Sequence, residues 1–396
     1  MNLFSEQLHS LTIFRTILKD AVVSKFLQYL DTDEYFQTTK LDAYAEFTAE
    51  LYQNGGNLGD YLFEKVMECK NPVVQKKAAG KDIPLYMQQA LQDELNFFTA
   101  LSEVSCEEIM PQGGFLPKWE NSGHDFWTSY SARLNEITIK GYGIFAKYYM
   151  FTVGENGDFL PVKNPDRRKL SDLTGYEKER RQVIVNTLAL LENLPANNIL
   201  LYGDAGTGKS CTVKVLANEY WQKGLRLIEI RKNQLHLIPM LMDELAENPL
   251  KFILFIDDLS FSSGDESFTN LKAILEGTVS ARPKNIVVYA TSNRRHMLKQ
   301  TFSERQGDDV HIGDTLEETM SLSARFGLTV TFLRPDKLLY NRIVESLAKE
   351  TQIKLSGEKL LQAAEAHASR QGGRSPRVAR QFIEYQKAKE LAEQLG

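Results

Sequence analysis

The chain has 396 residues and a formal net charge of -5, so it has room for two or three domains and no whole-chain charge that favours nucleic-acid binding. Its 42% hydrophobic and 25% charged residues are ordinary for a soluble globular protein. No run of about 20 apolar residues is present to cross a bilayer, and the first residues lack the continuous apolar core of a signal peptide. We therefore expect a cytoplasmic protein that makes no membrane contact.

Residues 1–150 are predicted to form a mostly helical domain with no catalytic pattern. Asn71-Pro72 is typical of a helix start, and Gly80 of the end of the same short helix. A longer helix is indicated by apolar residues that recur every three or four positions, namely Leu91, Leu95, Phe98 and Leu101. A helical region of this kind is compatible with a partner-binding arm and equally with a structural cap.

The sequence period changes at residue 148. Residues 148–153 and 158–162 predict two short strands about a glycine-rich turn, and residues 163–169, KNPDRRK, predict a polar connector. We assign residues 151–169 to this strand pair and linker. The basic residues of the connector are compatible with a contact to nucleic acid or to a neighbouring subunit, and also with a solvated linker.

Residues 198–217, NILLYGDAGTGKSCTVKVLA, carry a phosphate-binding pattern. An apolar strand leads into G-x-x-x-x-G-K-[ST], and a helical pattern follows it. Lys209 adds a full positive charge, and the Ser210 hydroxyl is suited to bind Mg²⁺. We expect Lys209 to lie at an exposed helix start, so that its replacement would remove few packing contacts. The context predicts a nucleoside triphosphate site made of Gly203, Asp204, Ala205, Gly206, Thr207, Gly208, Lys209, Ser210 and Cys211.

Strands alternate with helices after this loop, at residues 225–230, 251–256, 285–290 and 328–332. Such alternation predicts a parallel sheet covered by helices on both faces, whose ligands bind beyond the carboxyl ends of the strands. An acidic polar loop spans residues 293–318, and three helical patterns follow residue 335. We therefore predict an αβα core over residues 170–334 and a helical lid over residues 335–396.

Polar residues at the ends of these predicted elements are suited to phosphate chemistry. Asp257 is expected to orient Mg²⁺ and its waters, and Asp258 to act as general base on the attacking water. Asn293, after the next strand, is suited to bind the γ-phosphate or to position that water. Arg325 is placed to act as an arginine finger, in its own or a neighbour's site, and Arg377 to reach the phosphates from the lid. Both arginines are also compatible with surface salt bridges.

The order of these motifs resembles that of the AAA+ ATPases. Residues 170–385 look more closely like an uncharacterised bacterial AAA+ family, in the segments PANNILLYGDAGTGKS, FILFIDDLSF, ATSNRRH and SLSARFG. The paired aspartates are more distantly similar to those of helicase- and transposase-loader ATPases. The resemblance implies Walker A for Lys209 and Ser210, Walker B for Asp257 and Asp258, sensor 1 for Asn293, the finger for Arg325 and sensor 2 for Arg377.

Two further points follow from the resemblance. Gly175 and Tyr176 look like the segment that flanks the adenine. Most AAA+ proteins have glutamate where this chain has Asp258, whose shorter side chain holds the carboxylate about 1.5 Å further back. This departure concerns the turnover rate more than nucleotide binding.

The sequence thus predicts an α/β P-loop ATPase with a helical lid and a helical N-terminal domain. We expect it to bind ATP with Mg²⁺, to hydrolyse ATP, and to load or remodel a protein or nucleic-acid partner through that N-terminal domain. The resemblance implies a homo-oligomer. An alternative is a nucleotide-dependent switch or scaffold with little hydrolysis. A third hypothesis is a small-molecule kinase on the same core, but the sequence shows no pocket for a phosphate-accepting substrate.

Overall fold

The polypeptide divides into two compact units, residues 1–147 with 247–250, and residues 148–246 with 251–396. The computed structural model describes residues 3–259, 271, 272, 274, 275, 283–293 and 324–395. The predicted acidic loop after Asn293 lies outside these described residues. Within them, no helix combines the length and the hydropathy needed to cross a bilayer.

The first unit is helical, as predicted. Its helices are α1 Leu3–Ser10, α2 Ala21–Asp31, α3 Gln37–Gln53, α4 Leu58–Glu68, α5 Pro72–Ala78, α6 Leu85–Glu103, α7 Cys106–Ile109, α8 Phe126–Asn135, α9 Ile137–Lys140 and α10 Ile144–Lys147, with a 3₁₀ turn at Arg15–Lys19. Helix α5 has the predicted start, since the Asn71 side chain accepts a hydrogen bond from the Val74 N–H at 3.0 Å.

A buried carboxylate binds the segment that follows α1 in this unit. Glu94, on α6, accepts hydrogen bonds from the backbone N–H groups of Thr12, Ile13 and Phe14 and from the Thr12 hydroxyl, at 2.7 to 2.9 Å. These bonds satisfy a charge that would otherwise be costly to bury. The Phe14 ring then packs edge-to-face against Phe98, with 5.6 Å between the ring centroids.

The second unit is built on one seven-stranded sheet in the order β2-β1-β4-β5-β6-β3-β7. Strand β2 is antiparallel to β1, and the other pairs are parallel. The two strands predicted near residues 148–162 therefore belong to this same sheet, with β2 at its edge and β1 between β2 and β4. The strands are β1 Met150–Val153, β2 Phe159–Pro161, β3 Ile199–Gly203, β4 Leu225–Ile230, β5 Lys251–Ile256, β6 Ile286–Ser292 and β7 Leu328–Phe332.

The central strands are apolar because helices cover them. Every residue of β6 is buried, and so is every residue of β5 after Lys251. The helices between strands are α11 Glu177–Leu191, α12 Lys209–Tyr220 and α13 Ile238–Ala246, with 3₁₀ turns at Leu170–Asp172, Trp221–Lys223 and Lys232–Leu237. Helix α11 packs on β7, α12 on β4 and β6, and α13 on β6. The predicted α/β fold with a parallel sheet is confirmed.

A helical lid follows β7. Its helices are α14 Lys337–Thr351, α15 Gly357–Arg370 and α16 Pro376–Leu395. The Asp336 side chain starts α14 by accepting a hydrogen bond from the Leu339 N–H at 2.8 Å. Tyr340, Ile343, Leu360 and Phe382 bury their side chains in one apolar cluster, so the three helices share a core.

Candidate nucleotide-binding site

A cavity of about 510 Å³ lies beyond the carboxyl ends of β3, β5 and β6, where the sheet topology predicts a ligand. The loop after β3, two neighbouring strand ends, the segment before α11 and the lid helices all contribute to its wall. Its volume is within the range of small-molecule pockets, about 300–1,000 Å³. The predicted site residues that line it are Tyr176, Ala205, Gly206, Thr207, Gly208, Lys209, Ser210, Cys211, Asp257, Asp258, Asn293 and Arg377.

The first glycine of the loop is required by strand packing. Gly203 has φ +132°, and a Cβ placed there would lie 2.1 Å from the carbonyl oxygen of Phe332 on β7. That carbonyl also accepts a hydrogen bond from the Asp204 N–H at 3.0 Å. Gly208 differs, because no atom lies within 4 Å of the place where its Cβ would be. Gly203 therefore joins the loop to β7, while Gly208 leaves open space for a ligand.

Lys209 is buried, which corrects the expectation of an exposed helix start. Its side chain is only 5% exposed. The ammonium donates hydrogen bonds to the carbonyl oxygens of Gly203 at 2.9 Å and Asp204 at 2.7 Å, and to Asn293 Oδ1 at 2.9 Å. Burial lowers the pKa of Lys209, and the carboxylates of Asp204, Asp258 and Asp257 oppose this shift. A cation in this position is stabilised further by any anion that enters the cavity.

Asp257 is held against the phosphate loop by two hydroxyl groups. Its Oδ1 accepts hydrogen bonds from Ser210 Oγ at 2.5 Å and from Thr291 Oγ1 at 2.6 Å. The loop hydroxyl and the carboxylate at the end of β5 are thus adjacent. This pair of oxygen donors is of the type that Mg²⁺ prefers.

Asp258 adopts a left-handed backbone conformation, with φ +53°. Its N–H donates to Thr291 Oγ1 at 2.9 Å, and its Oδ1 accepts a hydrogen bond from Asn293 Nδ2 at 2.7 Å. Because Asn293 also accepts from Lys209, a continuous chain of hydrogen bonds runs from Lys209 through Asn293 to Asp258. The predicted lysine, amide and second carboxylate are therefore direct neighbours.

Tyr176 closes another part of the cavity wall. It precedes α11 in the left-handed conformation, with φ +57°. Its hydroxyl donates to the Leu333 carbonyl oxygen at 2.6 Å, and its ring lies 5.3 Å from that of Phe332. The lid residues Ile343 and Leu347 line the same cavity, so this wall combines apolar and aromatic side chains, as a nucleobase requires.

The lid is bonded directly to the phosphate loop. The Arg377 N–H, at the start of α16, donates to the Gly206 carbonyl oxygen at 3.3 Å. Arg334, just after β7, donates its N–H to Asp204 Oδ2 at 2.9 Å and its Nη1 to the Gly372 carbonyl oxygen at 3.1 Å. The backbone of Arg377 thus contacts the loop, and Arg334 links loop and lid. The contact of the Arg377 side chain with phosphates stays a prediction.

Gly203 and Asp204 belong to the loop without lining the cavity, and Arg325 is the predicted site residue that lies far from it. It precedes β7, whose first residue Leu328 pairs with Ile199 and whose last residue Phe332 pairs with Gly203. The cavity lies beyond the Gly203 end. Five residues of strand span about 16 Å, so Arg325 lies at the opposite edge of the sheet from its own phosphate loop.

These residues fit a nucleoside triphosphate with Mg²⁺. Among the described residues the buried Lys209 ammonium is bonded to neutral oxygens, and the open space beside Gly208 adjoins it in the loop. Phosphate oxygens would fill this space and pair with the ammonium. Ser210 and Asp257 supply the oxygen ligands for the metal.

The family described as "Protein of unknown function (DUF815)" matches residues 146–390. The chain belongs to this family. The match runs from just before β1 into the last lid helix and leaves residues 1–145 outside it. It confirms the resemblance to an uncharacterised family.

Solved structures of Thermotoga maritima RuvB are more distantly similar to the DUF815 chain. The Holliday junction branch migration motor aligns at 14% identity and a TM-score of 0.38, over 55% of this chain and 63% of its own. A point mutant of that RuvB aligns at 13% identity and a TM-score of 0.39, with the same coverage. The DUF815 chain therefore spans less than two thirds of those RuvB chains, and the similarity is too low for a residue-level comparison. No curated protein matches the sequence.

The cavity residues of the DUF815 protein that were not predicted as site residues include Arg168, Arg180, Thr291 and Arg380. Thr291 precedes Asn293 by two positions at the end of β6, and Arg380 follows Arg377 by three positions on α16. This spacing places each on the same face as a predicted site residue but does not reveal the groups that it contacts. Arg168 belongs to the connector whose role was left open. Its guanidinium pairs with Asp166 and faces the cavity.

Thr291→Val is expected to raise the Mg²⁺ concentration needed for tight nucleotide binding by about tenfold, the lower end of the usual effect of residues that orient metal ligands. Valine has a similar shape but cannot donate to Asp257 or accept from the Asp258 N–H. Titration of a fluorescent ATP analogue at a series of Mg²⁺ concentrations measures the effect. Thr152→Val, on β1, is the matched control. An unchanged Mg²⁺ dependence in folded Thr291→Val would mean that this hydroxyl does not position the metal ligand.

Proposed function

We propose that this DUF815 protein binds Mg·ATP and hydrolyses it, and that the cycle changes its contacts with a macromolecular partner. The observation that carries the proposal is the hydrogen-bonded chain from Lys209 through Asn293 to Asp258, beside the Ser210–Asp257 pair. Phosphate-binding, metal-binding and water-activating groups from three strand ends thus meet in one cavity. This is the set that phosphoryl transfer to water requires.

Each group has a distinct part in the proposed reaction. Lys209 donates to the β- and γ-phosphates in place of its present neutral acceptors. Ser210 with Asp257 would hold Mg²⁺, and the ion would supply positive charge beside the phosphates. Asp258 accepts the proton of the attacking water, while Asn293 fixes the position of that water relative to the γ-phosphate. Arg377 adds a positive charge from the lid.

We propose that the helical first unit contacts the partner. It exposes large apolar side chains that a structural cap alone would bury: Tyr35 is 93% exposed, Phe36 66% and Phe115 100%. A protein or nucleic-acid partner remains the proposed class. We further propose a homo-oligomer, on the resemblance to AAA+ ATPases, and a cytoplasmic location, which suits the free thiols of Cys69, Cys106 and Cys211.

One observation favours the second candidate, a nucleotide-dependent switch with little hydrolysis. The carboxylate of Asp258 lines the cavity but is bonded to the Asn293 amide, on a side chain that is one carbon shorter than that of glutamate. A base in this position activates water less effectively than a longer, freer glutamate would. A phosphate-release assay with and without added acceptor molecules separates hydrolysis, switching and kinase activity.

Lys209→Ala is expected to lose most of the affinity for ATP, because it removes the one full charge that the loop directs at the β- and γ-phosphates. It also leaves the carbonyl oxygens of Gly203 and Asp204 without their donor, so we expect a stability loss of about 1–3 kcal/mol. Titration with a fluorescent ATP analogue measures affinity, and thermal unfolding checks the fold. Lys214→Ala is the matched control, since Lys214 is on the same helix and pairs with Glu229. Unchanged ATP affinity in folded Lys209→Ala would remove the assignment of the loop.

A further inference from the structure

Arg180 is a buried cation in the cavity wall. It is 8% exposed, and its Nη2 donates to the backbone carbonyl oxygen of Leu173. No carboxylate of the described residues lies within ion-pair distance of its guanidinium. Burial lowers the pKa of Arg180, and the more distant carboxylates of Glu177 and Glu179 oppose this shift. A buried guanidinium is costly unless an anion accepts its remaining N–H groups.

A second arginine enters the same cavity from the lid. Arg380 lies one turn after Arg377 on α16 and is half-buried. Among the described residues it forms no side-chain hydrogen bond or ion pair, and the carboxylates of Asp166 and Asp172 act on it only through space. Arg168 differs from both, because the Asp166 carboxylate neutralises it through Nε at 2.7 Å and through Nη2. The two arginines that have no such carboxylate therefore come from different elements, α11 of the core and α16 of the lid.

The two arginines act on a different part of the loop from the Lys209 cluster. The charged groups that influence Lys209 are Asp204, Asp258, Asp257 and Arg377. Arg168, Arg180 and Arg380 line the cavity together with Cys211, and with Asp166 they are the charged groups that act on that residue. Cys211 is on the first turn of α12, where backbone N–H groups approach the α- and β-phosphates in a phosphate loop.

We propose that Arg180 and Arg380 bind the α-phosphate of the nucleotide, one from the core and one from the lid. The proposal rests on the proposed nucleotide-binding function, and it assigns different phosphates of the nucleotide to different residues of the site. Lys209 recognises the β- and γ-phosphates, which distinguish ATP from AMP. The arginine pair recognises the phosphate that AMP, ADP and ATP share, so every adenine nucleotide draws the lid helix toward the core.

The test compares adenosine, AMP and ATP in competition with a fluorescent ATP analogue. In the wild type we expect AMP to bind more tightly than adenosine by about tenfold or more, the contribution of charge-assisted hydrogen bonds to one phosphate. Arg180→Gln and Arg380→Gln should each bring AMP close to adenosine. Lys209→Ala should instead keep the ratio of AMP to adenosine affinities and lose the advantage of ATP over AMP.

Arg181→Gln is the matched control, because Arg181 is an exposed cation on the same helix as Arg180 and does not line the cavity. A merely structural role of Arg180 would weaken adenosine and AMP equally and so overturn the proposal. An AMP affinity no better than that of adenosine in the wild type overturns it as well.

If ATP binds through Lys209 while both arginine variants keep the wild-type ratio of AMP to adenosine affinities, this inference fails and the proposed function stands. If the wild type binds none of the three ligands, the proposed function fails. Should Arg180→Gln not fold, Arg380→Gln decides the question.

Discussion

Arg325→Ala is expected to bind ATP normally and to hydrolyse it about 10³-fold more slowly, the lower end of the effect of losing an arginine finger. The guanidinium spreads its charge over several donors, which suits the equatorial oxygens of a transferring phosphoryl group. Arg325 lies at the opposite edge of the sheet from its own phosphate loop, so this effect requires a second subunit. Phosphate release at saturating ATP measures the rate, and Arg181→Ala, an exposed arginine on α11, is the control.

Mixing two inactive variants tests the same contact in another way. Arg325→Ala has an intact phosphate loop, and Lys209→Ala has an intact arginine, so a mixed assembly contains competent sites. We expect the mixture to recover part of the wild-type rate, and wild-type activity per protomer to rise with protein concentration. If dilution leaves activity per protomer unchanged and the mixture recovers nothing, Arg325 has no role in a neighbour's site and the proposed assembly loses its support.

Asp258→Asn is expected to keep Mg·ATP affinity and to lower turnover by about 10²-fold or more, the usual contribution of a general base. Asparagine tolerates the left-handed backbone conformation of this position about as well as aspartate does, so the substitution changes the chemistry without straining the fold. Asp257→Asn should behave differently and raise the Mg²⁺ requirement, because Asp257 is the residue bonded to Ser210. Asp243→Asn, exposed on α13, is the control.

The turnover of Asp258→Asn also decides between the two candidate functions. A large loss with unchanged affinity supports hydrolysis with Asp258 as base. Equal turnover in wild type and variant favours the switch, or assigns the base to another residue. The hydrogen bond from Asn293 makes a low wild-type rate compatible with either outcome, so the ratio of the two rates is the informative quantity.

Features encoded by neighbouring residues were predictable from the sequence. The phosphate loop is one contiguous pattern between a strand and a helix, and the apolar strands β5 and β6 are read directly from their composition. The place of Asp257 follows from the topology, since carboxyl ends of parallel strands meet at one edge. These inferences need only local chemistry and the rule that ligands bind at that edge.

Features that depend on contacts between distant segments were not predictable. The burial of Lys209 results from carbonyl groups of its own loop and from Asn293, which is 84 positions later. The importance of Thr291 depends on the registration of β5 and β6, which sets its hydroxyl between two aspartates. Arg180 and Arg380 lie far apart in sequence and share a cavity only because the lid folds back over the core.

Strand β7 has an arginine on either side of it. Arg325 precedes the strand, and Arg334 follows it and holds Asp204 of the phosphate loop. Between them, five residues pair with β3 along their whole length, and such a segment transmits a displacement rather than absorbing it. If Arg325 acts in a neighbouring subunit, β7, a strand about 16 Å long, connects the nucleotide site of one protomer with that of the next. A shift at one end of β7 would then shift the other end, so that the nucleotide bound in one protomer affects the site of its neighbour.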